Sequence, residues 1–215
     1  MAGKKIKRNR ASTEARIKEA AHRVFLRKGY AAATTRDVAK EAGTNMALVN
    51  YYFRSKKNLF NVVMLEKMQQ ILINLVPIVT DSKTTLHEKI EGIVTCYIDF
   101  LVKNPDLPTF IFSEVRKRNF EFVSKADGGK ILLGSHFMKQ LREKSRANPM
   151  HFFISLLGMI VFPFSAKPMM LREGLVSEKA FNRMMLERKK IIPRWANFML
   201  QENGLSLPHP KYNRS

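Results

Sequence analysis

The spacing of apolar residues in the first quarter of the chain predicts a series of short helices. The first stripe recurs at intervals of three and four residues, which is the period of a helix with one buried face. It ends at Gly29, and its members are Ile17, Ala20, Ala21, Val24 and Phe25. We therefore expect one amphipathic helix to end at about residue 29.

Two shorter helices are predicted next, joined by a tight turn. Thr34 suits a helix N-cap and has Asp37 three residues on, a short version of the capping box. A brief apolar stripe then ends at Gly43, a residue favoured just after a helix. Asn45 suits the cap of the following helix, predicted over about 46–52. Residues 12–53 are thus predicted to form a three-helix unit of the helix-turn-helix type.

The rest of the chain keeps a helical period, and no stretch alternates like a strand over six residues. Ser55 suits the cap of a fourth helix, expected to run to about Val76 before Pro77. Later helices are expected from near Thr85 to Asn104, from Leu107 to about Arg118, and from after Gly128-Gly129 to Asn148. The expected fold class is all-α, with a basic arm and helix-turn-helix domain over 1–54 and a larger helical ligand-binding and dimerisation domain over 55–215.

The most apolar stretch is Met150 to Phe164, and a membrane span is its rival interpretation. We excluded the span on length, because fifteen residues are fewer than the roughly 17–25 needed to cross a bilayer. Pro163 also interrupts the end of the stretch. A helix of this kind is more often buried in a core or between subunits. A last long helix is expected over about 177–203, with a kink at Pro193.

The net charge of the chain restricts the classes of function that are compatible with this fold. The formal net charge is +20, and residues 1–67 hold 16 Lys and Arg against 5 Asp and Glu. Five of these cations form an arm before the first helix, which suits the neutralisation of phosphates with release of counterions. Short helical hairpins are also common as purely structural units, but the charge favours DNA. The single cysteine, Cys96, excludes an intrachain disulfide and indicates a reducing compartment, and no secretory signal is visible, so a cytoplasmic location is expected.

Residue sets for catalysis or metal binding are weak. The five histidines are scattered without a metal-ligand spacing, Gly128-Gly129-Lys130 lacks the spacing of a phosphate-binding loop, and Cys96 lies in an apolar helical stripe. We therefore expect no enzyme activity, no metal and no cofactor.

The segment from about Arg16 to Lys67 resembles the DNA-binding domain of the TetR family of bacterial transcriptional regulators. The resemblance covers about a quarter of the chain, and several elements fall in register. These elements are Ala20-Ala21, Phe25, Gly29-Tyr30, Thr35, Val38-Ala39, Ala42-Gly43, Tyr52-Phe53, Ser55-Lys56 and Leu59.

The resemblance implies which residues meet DNA. Thr35 and Arg36 begin the second helix and face the DNA, with Arg36 reaching a base edge or a phosphate, or remaining a solvated surface cation. Tyr52 and Lys56 match residues that contact phosphate. Leu48 and Asn50 depart from the common family pattern; leucine suits a thymine methyl and asparagine suits adenine. The full expected set is Lys5, Lys7, Arg8, Thr35, Arg36, Asn45, Met46, Ala47, Leu48, Asn50, Tyr51, Tyr52 and Lys56.

The resemblance also implies a homodimer and an effector. Residues 150–164 and 177–203 resemble the helix pair that builds the dimer bundle of this family, the alternative being that they only close the monomer core. Aromatic and methionine residues of the central helices line a pocket or pack as plain core. The candidates are Tyr97, Phe100, Phe110, Phe137, Phe152 and Met159.

The expected function is a homodimeric transcriptional repressor that binds a palindromic operator and is released by a small, mainly apolar effector. The rival is a constitutive or architectural DNA-binding protein without a ligand, and a closed apolar pocket in the second domain separates the two. An enzyme with an accessory DNA-binding domain is the third alternative. The effector, the operator and the sign of regulation are not encoded in any pattern of the chain.

Overall fold

The computed structural model describes the backbone of residues 2–116, 128–145 and 148–201, and the side chains of 12–112, 129–145 and 148–201. These residues form ten helices, and no strand occurs among them. The expected all-α fold is confirmed. The contacts divide the chain into two compact units, Met1–Gln70 with Lys103–Phe122, and Ile71–Val102 with Val123–Ser215. The boundary expected at 54/55 falls inside the first of these units.

The first unit contains the short helices expected from the sequence. They are α1 (Ala2–Ala32), α2 (Thr35–Glu41), α3 (Met46–Phe53), the first part of α4 (Lys56–Thr80) and α6 (Leu107–Arg116). The expectation of an arm before the first helix is wrong, because α1 begins at Ala2 and includes the basic segment. Lysine and arginine are good helix formers, and no proline interrupts this stretch.

The helix α1 is interrupted where the sequence indicates its end. Gly29 has φ 72° and ψ 164°, a conformation that glycine adopts without steric penalty. The stripe from Ile17 to Phe25 is buried, with each side chain at most 1% exposed. Phe60 of α4 packs edge-on against Phe25 (ring centroids 5.1 Å apart) and Phe110 of α6 (5.8 Å). This aromatic cluster holds α1, α4 and α6 together as one scaffold.

The second unit consists of the last part of α4, α5 (Leu86–Lys103) and four later helices. These are α7 (Gly128–Gly134), α8 (His136–Lys144), α9 (Pro149–Arg172) and α10 (Glu178–Gln201). A complete capping box begins α5: the Thr85 N–H donates to Glu88 Oε2 (2.7 Å), and the Glu88 N–H donates to Thr85 Oγ1 (3.2 Å). The expected start near Thr85 and end before Asn104 are confirmed.

Two expected helix boundaries are wrong. The helix α4 continues through Pro77 to Thr80, because a proline in the last turn removes only one helical hydrogen bond. The pair Gly128-Gly129 does not precede a single helix but begins the short helix α7. The break comes at Ser135, whose side chain accepts from the Met138 N–H (3.2 Å) and caps α8.

The length argument against a membrane span is also wrong. The segment 150–164 lies inside α9, which is 24 residues long and includes Pro163 and Pro168. Two helices, α4 and α9, are long and apolar enough to cross a bilayer by length and composition. This is weak evidence for a span, because core helices of soluble proteins have the same length and composition.

The last two helices form an antiparallel pair. Phe164 packs edge-on against Phe181 (ring centroids 5.6 Å apart), and an Arg188 N–H donates to the Met159 carbonyl oxygen (2.7 Å). Ser177 caps α10, since its hydroxyl accepts from the Ala180 N–H (3.2 Å). The expected helix at 177–203 is confirmed over Glu178–Gln201, and residues 202 and 203 lie outside the described part of the chain.

Candidate nucleic-acid interface and second-unit cavity

The start of α2 is held by a complete capping box. The Asp37 N–H donates to Thr34 Oγ1 (3.1 Å), and the Thr34 N–H donates to Asp37 Oδ2 (3.0 Å). Lys28 of α1 donates to Asp37 Oδ1 (2.8 Å). This bond from Lys28, together with those from Thr34, lowers the pKa of Asp37 to about 2. The carboxylate therefore ties α2 to α1.

The turn into α3 follows the sequence signals. Gly43 has φ 59°, in the left-handed region that glycine adopts most readily. Asn45 caps α3, with its side-chain oxygen accepting from the Leu48 N–H (2.8 Å). The Asn45 oxygen is thus committed to the helix, which leaves its NH₂ group as the part of the side chain able to meet DNA.

One face of α3 is buried and the other is open. Val49 and Phe53 are at most 3% exposed. Tyr51, at 64%, is the most exposed of the large apolar residues on α3. The exposed members of the predicted set on this helix are Met46, Ala47, Asn50 and Tyr51, whereas Leu48 and Tyr52 are half-buried at its margins. A leucine at the margin is less available to a thymine methyl than the sequence analysis assumed.

At the start of α2, Arg36 is exposed and Thr35 is half-buried. Two arginines of α1 near α2 are engaged within the unit. Glu41, at the end of α2, accepts from Arg23 (2.9 Å) and Arg27 (3.1 Å) of α1. Arg36 and Lys40 are both exposed cations of α2, and Arg36 is the one in the first turn, which the family resemblance places at the DNA.

Lys56 has a structural role that the sequence did not show. Its ammonium donates to the carbonyl oxygens of Tyr30 and Ala33 (3.0 Å each) and, more weakly, of Ala31 (3.4 Å). It also lies 4.5 Å from the centroid of the Tyr30 ring. A cation at free carbonyls of a helix C-terminus is favourable. A phosphate contact, as implied by the resemblance, would have to replace one of these bonds.

Two further observations concern cations of the candidate DNA-binding surface. The side chains of Lys5, Lys7 and Arg8 lie outside the described residues. Arg54, which the sequence analysis passed over, directly follows α3, is exposed and has φ 62°. Its signal in the sequence was simply a cation immediately after the short helix.

Taken together, the first turn of α2 and the outward face of α3 present the exposed polar side chains of Arg36, Asn45 and Asn50 beside Met46 and Tyr51. An exposed asparagine near the middle of a short helix suits a bidentate hydrogen bond to adenine in the major groove. Arg36 and the NH₂ group of Asn45 flank it at the beginnings of α2 and α3. The arrangement can bind double-stranded DNA, with α3 as the reading helix.

A second feature, inside the second unit, is an apolar cavity of about 90 Å³. Tyr97 supplies the only polar side chain among its lining residues, and burial raises the pKa of Tyr97 to about 12, so its hydroxyl remains a donor. The lining residues are Leu72, Leu75, Val76, Val79, Ile93, Tyr97, Ile131, Leu132, Phe137, Phe153, Leu156, Leu157 and Ile160.

The structure places two of the six candidate pocket residues, Tyr97 and Phe137, at this cavity. The other four lie elsewhere. Phe110 packs in the aromatic cluster of the first unit, and Phe152 is buried outside the lining, to which its neighbour Phe153 contributes instead. Phe100 and Met159 are half-buried outside the lining. The four aliphatic residues of α4 were missed, although their spacing of three and four residues was visible in the sequence.

The described residues contain no group of three His, Cys, Asp or Glu side chains that could hold a metal. Cys96 is a free, half-buried thiol.

Comparisons with known proteins agree with this geometry. Residues 17–63 match the model of the family described as bacterial regulatory proteins, tetR family. The HTH-type transcriptional repressor SCO4008 of Streptomyces coelicolor is 35% identical over 107 residues, 50% of this chain and 52% of that protein. The chain therefore spans about half the length of that relative. The probable HTH-type transcriptional regulator YttP of Bacillus subtilis is 25% identical over 209 residues, 92% of this chain and 99% of that protein.

Solved structures extend the likeness to most of the fold. The transcriptional regulator FadR from Bacillus subtilis, crystallised in complex with stearoyl-CoA, superimposes with a TM-score of 0.58 at 18% identity. The superposition covers 85% of this chain and 96% of that one. The family match over residues 17–63 supports a helix-turn-helix domain like that of the TetR family of bacterial transcriptional regulators, and the solved structures show that most of the chain shares their fold.

Proposed function

We propose that the protein is a cytoplasmic, homodimeric repressor that binds a palindromic operator through α3 and is released by a small, mainly apolar effector. The observation that carries the proposal is the apolar cavity of the second unit, because a constitutive DNA-binding protein has no need of one. The cavity is lined in part by α4, and the same continuous helix contributes Leu59 and Phe60 to the packing of the first unit.

The geometry of α4 supports a route for the signal. It is 25 residues long, which corresponds to about 37 Å at 1.5 Å per residue. A ligand that displaces its cavity-lining end would also disturb the end whose Phe60 packs against α1 and α6. Such a ligand has to bind the DNA-incompatible state more tightly than the DNA-bound state.

Unpaired apolar side chains on α9 and α10 support the homodimer. Ile154 and Phe162 are 62% and 69% exposed, and Phe198 of α10 is 61% exposed. Ile154 and Phe162 lie eight residues apart on one face of α9. A second copy of the chain would cover this face. Only 22% of the most apolar stretch of α9 is buried within one chain, which fits such an interface.

Length-resolved DNA binding tests the dimer and the operator together. An operator selected from random DNA is cut to one half-site and compared with the full site by fluorescence anisotropy, while light scattering gives the mass of the protein. We expect a mass of twice 24.8 kDa and a strong preference for the full site. A mass of one chain with equal affinity for both DNAs would refute the dimeric mode of binding.

A further inference from the structure

A buried lysine in the second unit makes no direct ion pair with a carboxylate of the described residues. Lys89 is 1% exposed, and no carboxylate lies within ion-pair distance of its ammonium in the described part of the chain. It lies in the first turns of α5, where the helix dipole is positive. A buried cation is unfavourable unless it is paired, and the dipole adds to that penalty. This position therefore favours a bound anion.

The polar groups around Lys89 have unused hydrogen-bonding capacity. The ammonium donates to the Thr84 carbonyl oxygen (2.6 Å) and to Thr84 Oγ1 (2.8 Å), which occupies two of its three N–H groups. Gln140 Nε2 donates to the same carbonyl (3.0 Å), whereas Gln140 Oε1 is buried without a partner. We name Thr84, Lys89 and Gln140 the head-group cluster. It retains donors for an anion and one acceptor for a hydroxyl.

The nearest carboxylate along the chain is already engaged. Glu88 accepts from the Thr85 N–H (2.7 Å) and the Thr85 hydroxyl (2.8 Å) in the capping box, and it is exposed to solvent. The bonds from Thr85, and to a lesser degree the charge of Lys89, lower the pKa of Glu88, so this carboxylate acts on the ammonium from a distance and makes no direct ion pair with it.

Each residue of the head-group cluster lies within a few residues, along the chain, of a residue that lines the cavity. Ile93 lines the cavity and follows Lys89 by four residues, one helical turn or about 5.4 Å. Phe137 lines it and precedes Gln140 by three residues. Val79 is the last lining residue of α4 before the loop that carries Thr84. We infer from this closeness that the head-group cluster borders the cavity.

We propose that the effector is a short amphiphilic carboxylic acid, with its carboxylate on the head-group cluster and its tail in the cavity. The proposal rests on the proposed function and names the chemical class of its effector. The carboxylate accepts from the free N–H of Lys89 and from the Thr84 hydroxyl. A hydroxyl group beside the carboxylate donates to Gln140 Oε1, so a hydroxy acid binds more tightly than the plain acid.

The size of the cavity limits the tail. At about 90 Å³ it is smaller than the cavity of about 150 Å³ that accepts a benzene in a protein core. Each methylene that enters should raise affinity about fourfold, the equivalent of about 0.8 kcal/mol. We expect this gain to stop after a few carbons, when the cavity is full.

Calorimetry on the full chain tests the head group. Hexanoate, 2-hydroxyhexanoate and 1-hexanol are titrated into the wild type, Lys89→Met and Lys139→Met, the last being an exposed lysine on α8 next to Gln140. We expect hexanoate to bind the wild type at least about tenfold more tightly than hexanol, as for hydrogen bonds to a charged group. Lys89→Met should bring that ratio close to one, and Lys139→Met should leave it unchanged.

Several outcomes would overturn the inference. They are equal binding of hexanoate and hexanol to the wild type, no binding of either, or an unchanged ratio in Lys89→Met, which would make the lysine a structural tie to Thr84 alone. If Lys89→Met does not fold, Thr84→Val replaces it in the test. This variant retains the Thr84 backbone carbonyl and removes the hydroxyl, and it must lower the ratio of hexanoate to hexanol affinity severalfold. Binding of the acid without release of the operator would refute the proposed function and leave only the carboxylate-binding site. Release by neutral compounds alone would refute the carboxylate site and leave the proposed function.

Discussion

The two units differ in how completely their polar groups are satisfied. In the first, Asp37, Asn45, Ser55 and Lys56 each bond the backbone at a helix end. In the second, buried polar atoms of three residues have no hydrogen-bond partner within the described structure: Gln140, Ser165 and Arg188. The cavity also lies in the second unit. The difference separates a rigid support that presents a reading helix from a region left incomplete for a ligand or a second chain.

The largest expected effect is on the free energy of unfolding, when one aromatic side chain in each unit is replaced by alanine. Phe25→Ala removes a side chain that is 1% exposed and packs on Phe60, and should lower the free energy of unfolding by about 3–5 kcal/mol. Phe153→Ala should have a clearly smaller effect, because this half-buried side chain borders a cavity that is already empty. Urea denaturation measures both, with circular dichroism for the chain and Trp195 fluorescence for the second unit. Equal losses would remove the contrast between the units.

Replacement of Lys56 tests whether its hydrogen bonds to carbonyls at the end of α1 stabilise the first unit. Lys56→Ala leaves the carbonyls of Tyr30 and Ala33 without their cation and should lower the free energy of unfolding by about 1.5–3 kcal/mol. The exposed neighbour Lys57 is the control, and Lys57→Ala should stay within about 0.5 kcal/mol of the wild type. If Lys56 also meets phosphate, as the family resemblance implies, the salt dependence of operator binding should fall by about 2 per dimer. Identical behaviour of the two variants would contradict the structural role.

Two asparagines of the reading helix separate recognition from folding. Asn50→Ala removes an exposed side chain and should reduce operator discrimination by about 1–3 kcal/mol per half-site without changing stability. Asn45→Ala removes the cap of α3 and should lower the free energy of unfolding by about 1 kcal/mol. Operator and random-DNA titrations, combined with denaturation, measure both effects. A destabilised Asn50→Ala with normal discrimination would show that α3 does not read bases through this residue.

The smallest effect concerns acid stability. The bonds from Lys28 and Thr34 hold the folded-state pKa of Asp37 at about 2, below its usual value of 3.8. Its contribution to stability is therefore fully present above pH 3.8 and is lost as the pH falls towards 2. Asp37→Asn should lack this component of the acid profile, while Asp99→Asn, an exposed carboxylate of α5, should retain it. Superimposable profiles of wild type and Asp37→Asn between pH 4 and pH 2 would rule out the capping role.

The sequence predicted the first unit well because its helix ends depend on local signals. Caps at Thr34 and Asn45 and the break at Gly29 act within a few residues of the chain, so their patterns are legible without the fold. The role of Lys56 was hidden, because its partners lie more than twenty residues away on α1. The same holds for the exposed position of Arg54, which depends on how α3 packs.

The second unit was predicted less well because its helices are apolar on several faces. Composition does not show which face of α9 lines a cavity, and Phe152 was chosen where Phe153 lies. The proline at 77 also misled, since its penalty depends on its position within the last turn. Lys89 was overlooked for a related reason: an isolated lysine in a helix usually reaches solvent, and its burial follows only from the tertiary packing of the second unit.

The central claim is that a ligand in the second unit controls the affinity of the first for DNA. The direct test is the operator dissociation constant of the full-length protein, measured by anisotropy with and without a saturating concentration of a compound that calorimetry shows to bind. The account predicts that the ligand weakens operator binding by about 5- to 150-fold, a coupling of about 1–3 kcal/mol. An operator affinity unchanged at saturation would contradict it and leave a constitutive DNA-binding protein.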